Sequence, residues 1–429
     1  MSLPASHPLR AELNDEVHAR PPEALVPPCR ISHLALLPDD DAPRDESLAA
    51  LVALAKRFGG PEPAPGATHY SADLGPFRLK WERHTEFSRF MVIVPGLEAD
   101  PFASTAMEAL PGDWVAALPG RVIAAQHVAL LPDDGAPFDI AALSARHFAG
   151  NHLLGAEVSA GRATAITDFR IQPDGFSRFL LLDRGTGARQ AGRIVQRLIE
   201  IDTYRVMALL AFPLARRLSP ELAAQERELA AVTDALIGCG DDDEPVLLDR
   251  LTRLAAEIES GEARNRYRFS AGAAYYEIVQ RRIEDLREGR IEGLQTVREF
   301  TERRLAPAMN TCLAMAQRQV LLSQRVARAT QLLSTRVDLT RERQNQALLA
   351  SMDRRARLQL RLQQTVEGLS VAAITYYVVG LIGYAAKALS DARVPVRDEV
   401  VTGLAVPVVA LAVYAATRRV RRRMEREET

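Results

Sequence analysis

Two long apolar segments close the chain, at residues 370–389 and 400–416. A helix rises about 1.5 Å per residue, so these segments would cover roughly 30 Å and roughly 25 Å, close to the thickness of a hydrocarbon core. The polar connection at 390–399 has room only for a turn. The pattern predicts a transmembrane hairpin over residues 370–416 and a basic tail over 417–429. The alternative is one buried helical hairpin of a large soluble protein.

Arginines flank the predicted hairpin on both of its outer sides. They are Arg354, Arg355, Arg357 and Arg361 before the first span, and Arg418, Arg419, Arg421, Arg422 and Arg423 after the second. The turn carries Arg393 and Arg397, but three acidic residues accompany them. Positive charge stays on the cytoplasmic side of a membrane. Both termini are therefore expected in the cytoplasm, with membrane lipid as the first partner.

The amino-terminal third contains an internal repeat. The sequence His-Leu-Ala-Leu-Leu-Pro-Asp-Asp at 33–40 recurs at 127–134 with one change, and Phe-Ser-Arg-Phe at 87–90 recurs at 176–179. Each copy shows the same periodicities, which predict a strand, a short helix and two further strand regions. These fall at 31–37, 48–58, 68–83 and 88–94, then at 122–131, 140–148, 157–171 and 177–182. We expect an amino-terminal segment (1–30) and a duplicated α/β domain (31–186) with a pseudo-two-fold axis.

From residue 188 onward the pattern is helical and shows no further strand signal. Helices are predicted at 188–212, 220–237, 245–260 and 263–287, and a long one begins near Leu294. Proline and glycine place the breaks at Pro213, at 238–244, and at Gly289 and Gly293. Residues 187–369 are thus predicted to form a helical, coiled-coil stalk. The fold class is an α+β membrane protein.

The last predicted helix carries a heptad seam that runs from the stalk into the first span. Its members alternate steps of four and three residues, and they are Leu362, Val366, Leu369, Ala373, Tyr376, Gly380, Gly383 and Lys387. Small residues within a membrane let helix backbones approach closely. The seam is expected to pack against the second span or a neighbouring subunit, or to line a pore in a symmetric oligomer. Packing against a neighbouring subunit and lining a pore both require further copies of the chain, so a homo-oligomer is expected.

Composition and motifs exclude several classes of function. A formal net charge of −1 and a pI near 6.7 argue against a nucleic-acid partner. Acidic residues at 39–41 and 133–134, near His33 and His127, would suit a metal, but helix capping is the favoured interpretation. His147 and His152 show no third ligand. No phosphate-loop, dinucleotide, hydrolase or zinc-protease motif occurs. We therefore predict no catalytic, cofactor-binding or metal-binding residue, and no enzyme activity.

Four short segments resemble a bacterial family of membrane-anchored proteins of unknown function. They begin at Glu12 (Glu-Leu-Asn-Asp-Glu-Val-His-Ala-Arg-Pro), Arg268 (Arg-Phe-Ser-Ala, with Tyr-Tyr-Glu-Ile from Tyr275), Leu305 (Leu-Ala-Pro-Ala-Met) and Ala373 (Ala-Ile-Thr-Tyr-Tyr). The resemblance spans nearly the whole chain. It implies a location in the bacterial inner membrane and supplies no site residues.

A second resemblance concerns architecture alone. A cytoplasmic α/β domain, long helices, two carboxy-terminal spans and a basic tail are similar to CorA-type magnesium channels. That family ends its first span with Gly-Met-Asn, whereas this chain has Gly-Leu-Ile-Gly-Tyr-Ala-Ala-Lys at 380–387. The leading expectation is therefore a membrane-anchored scaffold or sensor that faces the cytoplasm. The alternative is a CorA-like divalent-cation channel that lacks the selectivity motif.

Overall fold

The computed structural model describes residues 6–11, 13–14, 21–39, 45–98, 100–133, 135, 138–238, 240, 243–391 and 397–427. The chain divides into two compact units. The first contains Met1–Gly238 and Asp249–Thr330, and the second contains Cys239–Leu248 and Gln331–Thr429. Most of the amino-terminal signature, Asp40, Asp41, Asp134 and the turn at 392–396 lie outside the described residues. The predicted mixture of α and β structure is confirmed.

A mixed sheet forms the centre of the first unit. Its nine strands, among the described residues, are β1 (Cys29–Leu37), β2 (His69–Asp73), β3 (Arg78–Arg83), β4 (Ser88–Pro95), β5 (Arg121–Pro132), β6 (Leu154–Val158), β7 (Ala163–Thr167), β8 (Ser177–Asp183) and β9 (Gly289–Arg290). They are ordered β2-β3-β4-β1-β5-β8-β7-β6-β9. The predicted strands of both repeat copies correspond to β1–β8, because apolar runs or alternating apolar positions mark them.

The two copies of the repeat share their element order but differ in one strand pairing. In each copy the later strands form a meander that returns to the first strand, and β1 and β5 meet at the centre of the sheet. However, β1 pairs with β4 antiparallel, whereas β5 pairs with β8 parallel. An exact pseudo-two-fold axis through all the strands is therefore wrong, because it would require the same pairing in both halves. The duplication itself stays a prediction.

Helices cover both faces of the sheet. Three short ones follow strands of the repeat copies: α1 (Glu46–Arg57), α2 (Gly112–Ala116) and α3 (Ile140–His147). One face packs against α4 (Ala188–Leu209) and contributes Ile31, Val128 and Leu181 to the core. The other face packs against α1 through a second core that includes Trp81 and Phe90. Successive residues of β4 thus enter different cores, as the pleat of a strand requires.

Two predicted helix breaks are wrong. Helix α5 (Ala211–Gly238) runs through Pro220, and α6 (Glu244–Leu286) runs through Gly261. A proline inside a helix removes one hydrogen bond, and a glycine lowers helix propensity. Burial outweighs both costs, because Leu218 and Leu222 flank the proline and Ile258 lies just before the glycine. The prediction that Pro213 ends a helix is also wrong, since it falls in the first turn of α5, where no backbone donor is needed.

The expectation that strands end before residue 188 is also wrong. After α6, Gly289 and Arg290 form β9 and pair antiparallel with β6. Gly155 on β6 lies close to the segment before α7, because a Cβ at this position would lie 2.7 Å from Leu294 Cδ1. Helix α7 (Val297–Arg304) and the long helix α8 (Ala306–Asp391) follow. The long helix therefore begins later than Leu294.

The second unit consists mainly of the later part of α8 and of α9 (Asp398–Glu427). The start of α6 also belongs to it and packs on α8, since the buried Glu244 carboxylate pairs with Arg336 and accepts a hydrogen bond from Thr340. Helix α8 continues without interruption from the stalk region into the apolar segment, as predicted.

Candidate functional site

The predicted seam lies along one side of α8 and is largely exposed within the chain. Leu362, Val366, Leu369 and Tyr376 have exposed fractions of 57–77%. Ala373, Gly380 and Lys387 are exposed as well. Gly383 differs, because a Cβ there would lie 3.4 Å from Thr402 Oγ1 on α9. One seam residue thus contacts the second apolar helix, and the others present an uncovered face.

A groove of about 1000 Å³ runs beside this contact within the second unit. Tyr376, Gly380 and Lys387 line it from α8, and Thr402 and Val406 line it from α9. Among the described residues, two helices are long and apolar enough to cross a membrane by length and composition, within Val297–Ala388 and Glu399–Arg419. Only 11% of the most apolar window of the first is buried, and none of the second.

The arginines that flank the apolar segments are exposed. On α8 these are Arg354, Arg355, Arg357 and Arg361, and on α9 they are Arg418 and Arg419. One of them, Arg357, forms an i,i+4 ion pair with Asp353 at 2.6 Å. Helix α9 continues through Arg421, Arg422 and Arg423, whose side chains lie outside the described part of the chain.

A chain of buried charges crosses the face of the sheet that α4 covers. Glu82 on β3 is fully buried and forms ion pairs with Lys80, at 3.0 Å, and with Arg89. The guanidinium of Arg89 also lies 3.7 Å from Glu200 on α4, and Glu200 pairs with Arg282 on α6 at 2.5 Å. Burial alone would raise the pKa of Glu82, but His84, Arg89 and Lys80 together lower it. Opposite charges thus connect β3, β4, α4 and α6.

A row of hydrogen-bonded polar groups around Asp202 continues this layer across the central strands. The side-chain amide nitrogen of Gln126 donates to Asp202 at 2.8 Å, so the amide oxygen of Gln126 is the atom that lies 2.6 Å from His33 Nδ1. Because an amide oxygen can only accept, the imidazole of His33 carries its proton on Nδ1. Ser177 also donates to Asp202 at 2.8 Å. His33 Nε2 has no hydrogen-bond partner among the described residues. Burial, and then the charge of Arg89, lower the pKa of His33 to about 3.

The second repeated histidine lies on the opposite face. His127 stacks on Phe176 at 3.9 Å, and its Nδ1 lies 2.8 Å from Ser32 Oγ. A serine beside a histidine suggests a nucleophile and its base. Ser32 and His127 are, however, only 1% and 4% exposed, so a substrate could not reach the hydroxyl. Burial lowers the pKa of His127 to about 4. Both side chains of this pair thus lie in the core.

The structure separates the candidate metal ligands. His33 and His127 face opposite sides of the sheet, and Asp133 pairs with Arg184 at 2.7 Å. His147 Nδ1 lies 3.2 Å from Asp100. Within the described ranges, no group of three or more histidine, cysteine, aspartate or glutamate side chains is arranged to hold a metal ion.

The turn between β3 and β4 borders two hollows of about 390 Å³ and about 420 Å³. Both are lined by Arg83, His84, Thr85 and Phe87. The first extends to the start of α1 and the second to Tyr204 and Tyr275; each has the size of a small-molecule pocket.

Comparison with known families decides what this chain is related to. The model of the family described as "Protein of unknown function (DUF3422)" matches residues 5–424. The chain belongs to the DUF3422 family. No curated protein matches it, and no solved structure does. The resemblance to CorA-type channels stays a prediction.

Sequence reasoning missed the buried charges of this DUF3422 chain. Lys80 and Glu82 alternate with apolar residues on β3, a pattern that is typical of a solvent-facing strand side. One signal was present, because the charged Arg89 directly precedes a run of strongly apolar residues on β4. Its partner Glu200 lies more than a hundred residues further along, as does Arg282, which pairs with Glu200, so no local pattern could identify them.

Acidification should lower the stability of the first unit, because His33 is buried there in its neutral form. Below its ordinary pKa of 6.5 the unfolded chain binds a proton at His33, whereas the folded chain does so only near pH 3. The stabilisation is therefore complete above pH 6.5 and is lost progressively between pH 6.5 and 3, by about 1.4 kcal/mol per pH unit. We expect Tm to fall from pH 7 to pH 5, and less steeply in His33→Asn.

The control for this experiment is His69→Asn, which replaces an exposed histidine of the same unit. It should keep the slope of the native protein. A His33→Asn variant whose Tm depends on pH as strongly as that of the native chain would contradict this assignment.

Proposed function

We propose that this protein is anchored in the bacterial inner membrane by two transmembrane helices, with both termini in the cytoplasm. The first unit would then act there as a scaffold or sensor. The observation that carries the proposal is the exposed apolar surface of α9 and of the last part of α8. Leu404, Val408 and Leu411 are each more than 60% exposed. Such a continuous apolar surface is costly in water and favourable in a bilayer.

The charges beside the apolar segments support the orientation. Arginine lies at the outer end of each segment, and the connection between them carries both signs. Moving an arginine to the centre of a membrane costs about 3 kcal/mol, so a cluster of them resists translocation. The two outer ends would therefore remain on the cytoplasmic side.

The exposed seam supports a homo-oligomer. Between residues 341 and 370 nearly every residue of α8 is exposed in the single chain. An isolated helix gains little stability in water, and the exposed Leu362, Val366 and Leu369 would be covered by a second copy. Gly380 continues the same face into the apolar segment with nothing within 4 Å of its Cβ position. A monomeric mass for detergent-extracted protein in light scattering would contradict this part.

Alkaline carbonate extraction and a reporter after Thr429 test the anchor. The native chain should stay in the membrane pellet with its reporter in the cytoplasm. The double variant Leu404→Arg and Leu411→Arg adds roughly 6 kcal/mol to insertion of α9. We expect α8 alone to span in that variant, which moves the reporter to the periplasm.

The matched control is Leu332→Arg, an exposed leucine of α8 outside the apolar segment. It should leave both readouts unchanged. Recovery of the native chain in the carbonate supernatant, or a periplasmic reporter on the native tail, would refute the proposal.

A further inference from the structure

Helix α8 leaves its packing partner within the second unit after Thr340. Leu333, Val337 and Thr340 are at most 8% exposed, and the Thr340 hydroxyl donates to Glu244 at the start of α6. From residue 341 to 370 the helix continues for about 45 Å, and nearly all of its side chains are exposed. Most helices in proteins are stabilised by packing one apolar face. This part of α8 lacks such packing among the described residues.

The apolar residues of this uncovered part of α8 concentrate on one face. Counting back from the predicted seam at Leu362, in alternate steps of three and four residues, continues the heptad pattern. Position a is occupied by Asn345, Met352, Gln359 and Val366, and position d by Leu348, Arg355, Leu362 and Leu369. We call these eight positions the stalk seam. Its five apolar members are each 57–75% exposed, and the exposed Leu349 and Leu358 flank it.

The residue types of the stalk seam are those of a pair of parallel helices. Leucine fills three of the four d positions, and the last a position is the β-branched Val366, a combination that favours two strands. Asn345 and Gln359 are polar a positions. Two equivalent amides can hydrogen-bond to each other when the helices are in register, whereas a shifted register would bury them against apolar side chains. The polar positions therefore fit a second, identical chain.

The charge of Arg355 limits the number of chains. It is the one charged member of the stalk seam, and the neighbouring Asp353 already pairs with Arg357 on the side away from the seam. Between two helices the seam stays close to water, so a long side chain can extend its guanidinium outward. A larger ring would enclose one arginine from every copy, and burial of unpaired charges is strongly unfavourable.

We propose that two copies of this protein pair through the stalk seam as a parallel, two-stranded coiled coil, with the Asn345 side chains of both copies hydrogen-bonded to each other. The parallel direction rests on the proposed membrane anchor, because both copies would enter the same bilayer after Leu369. The number of chains and their register go beyond that proposal. A pair of helices also leaves no ring of seam residues around a central pore.

Disulfide cross-linking of the full chain in native membranes tests the pairing. Cys29 and Cys312 are buried, so Cys239→Ser removes the remaining native thiol. In that background, Leu348→Cys places a thiol at position d, where the two helices face each other. The matched control is Ala350→Cys at position f, an exposed position on the opposite side of α8. We expect covalent dimer to form about tenfold faster at d than at f, because a disulfide needs Cβ atoms about 4 Å apart.

A second pair of variants, Leu362→Cys at d and Gln364→Cys at f, repeats the comparison two heptads further on. The result therefore does not depend on the folding of one variant. Equal rates of cross-linking at d and f would overturn the stalk seam as the contact between copies.

Light scattering of the detergent-extracted native chain should give the mass of two chains. A mass of three or more chains would overturn the pair and leave the proposed homo-oligomer standing. A monomer would overturn both, whereas carbonate extraction tests the membrane anchor independently of either.

The register depends on Asn345. Asn345→Ile replaces a buried amide by an apolar side chain and should lower the Kd of the dimer, measured by dilution in detergent, about tenfold. Gln364→Ile at position f is the control and should leave Kd unchanged. Equal Kd values for the two variants would show that Asn345 lies outside the contact and would overturn the proposed register.

Discussion

Replacement of Arg89 by methionine should lower the free energy of unfolding of the first unit by about 3–5 kcal/mol. Arg89 lies between the carboxylates of Glu82 and Glu200, and all three side chains are at most 5% exposed. Methionine fills a similar volume but leaves two buried negative charges with less compensation. The opposite charges of Glu82 and Glu200 hold the pKa of Arg89 above its usual range despite its burial. The native guanidinium is therefore always charged.

Tryptophan fluorescence during denaturant unfolding measures this loss. The chain has two tryptophans, and both Trp81 and Trp114 are buried in the first unit. The control is Arg281→Met, which removes an exposed i,i+4 partner of Glu277 and should cost less than about 1 kcal/mol. An Arg89→Met variant as stable as this control would show that the buried charge chain contributes no net stability.

Replacement of Gly192 by alanine should destabilise the first unit by about 3 kcal/mol. Helix propensity alone predicts the opposite sign, because alanine in a helix is favoured over glycine by about 1 kcal/mol. In the structure, however, a Cβ at this position would lie 1.7 Å from the backbone oxygen of Glu23. The segment that crosses α4 at this point would have to move away.

The displaced segment makes several contacts that the variant would lose. Lys80 donates to the carbonyl of Pro21 at 2.6 Å, Leu25 N donates to Ala188 O at 3.0 Å, and the Leu25 side chain is 2% exposed. Thermal unfolding followed by fluorescence measures the effect. Gly112→Ala is the control, because nothing lies within 4 Å of its Cβ position. A Gly192→Ala variant with a native or higher Tm would show that the segment does not pack as described.

Local periodicity was sufficient to predict most of the strands and the short helices. Continuous apolar runs mark β4 and β8, and the Phe-Ser-Arg-Phe repeat places Phe90 and Phe179 in the core, where both are at most 1% exposed. The pairing of these strands was not predictable. Strand β8 runs parallel to β5, whereas the equivalent pair in the first copy, β4 and β1, is antiparallel. The direction of each pair depends on how the meander of that copy returns to its first strand.

Helix breaks were overpredicted for a related reason. Pro220 and Gly261 are unfavourable in an isolated helix. A prediction from the neighbouring residues includes only this loss of helix stability. Both helices pack along much of their length in the first unit, so burial of neighbouring leucines and isoleucines offsets it. The two hollows beside the β3–β4 turn could not be predicted from local sequence either, because the start of α1 lines one of them and α4 and α6 line the other.

The amino-acid sequence by itself determined the two apolar segments, their arginine flanks and the continuous helix that contains the first of them, because each depends on neighbouring residues along one helix. The tertiary structure alone decided which charges are buried and which polar groups meet. Lys80, Glu82 and Arg89 pair with one another on neighbouring strands, and α4 and α6 add Glu200, which pairs with Arg89, and Arg282, which pairs with Glu200. A charge cannot be buried without its partner, and that partner lies far away in the chain.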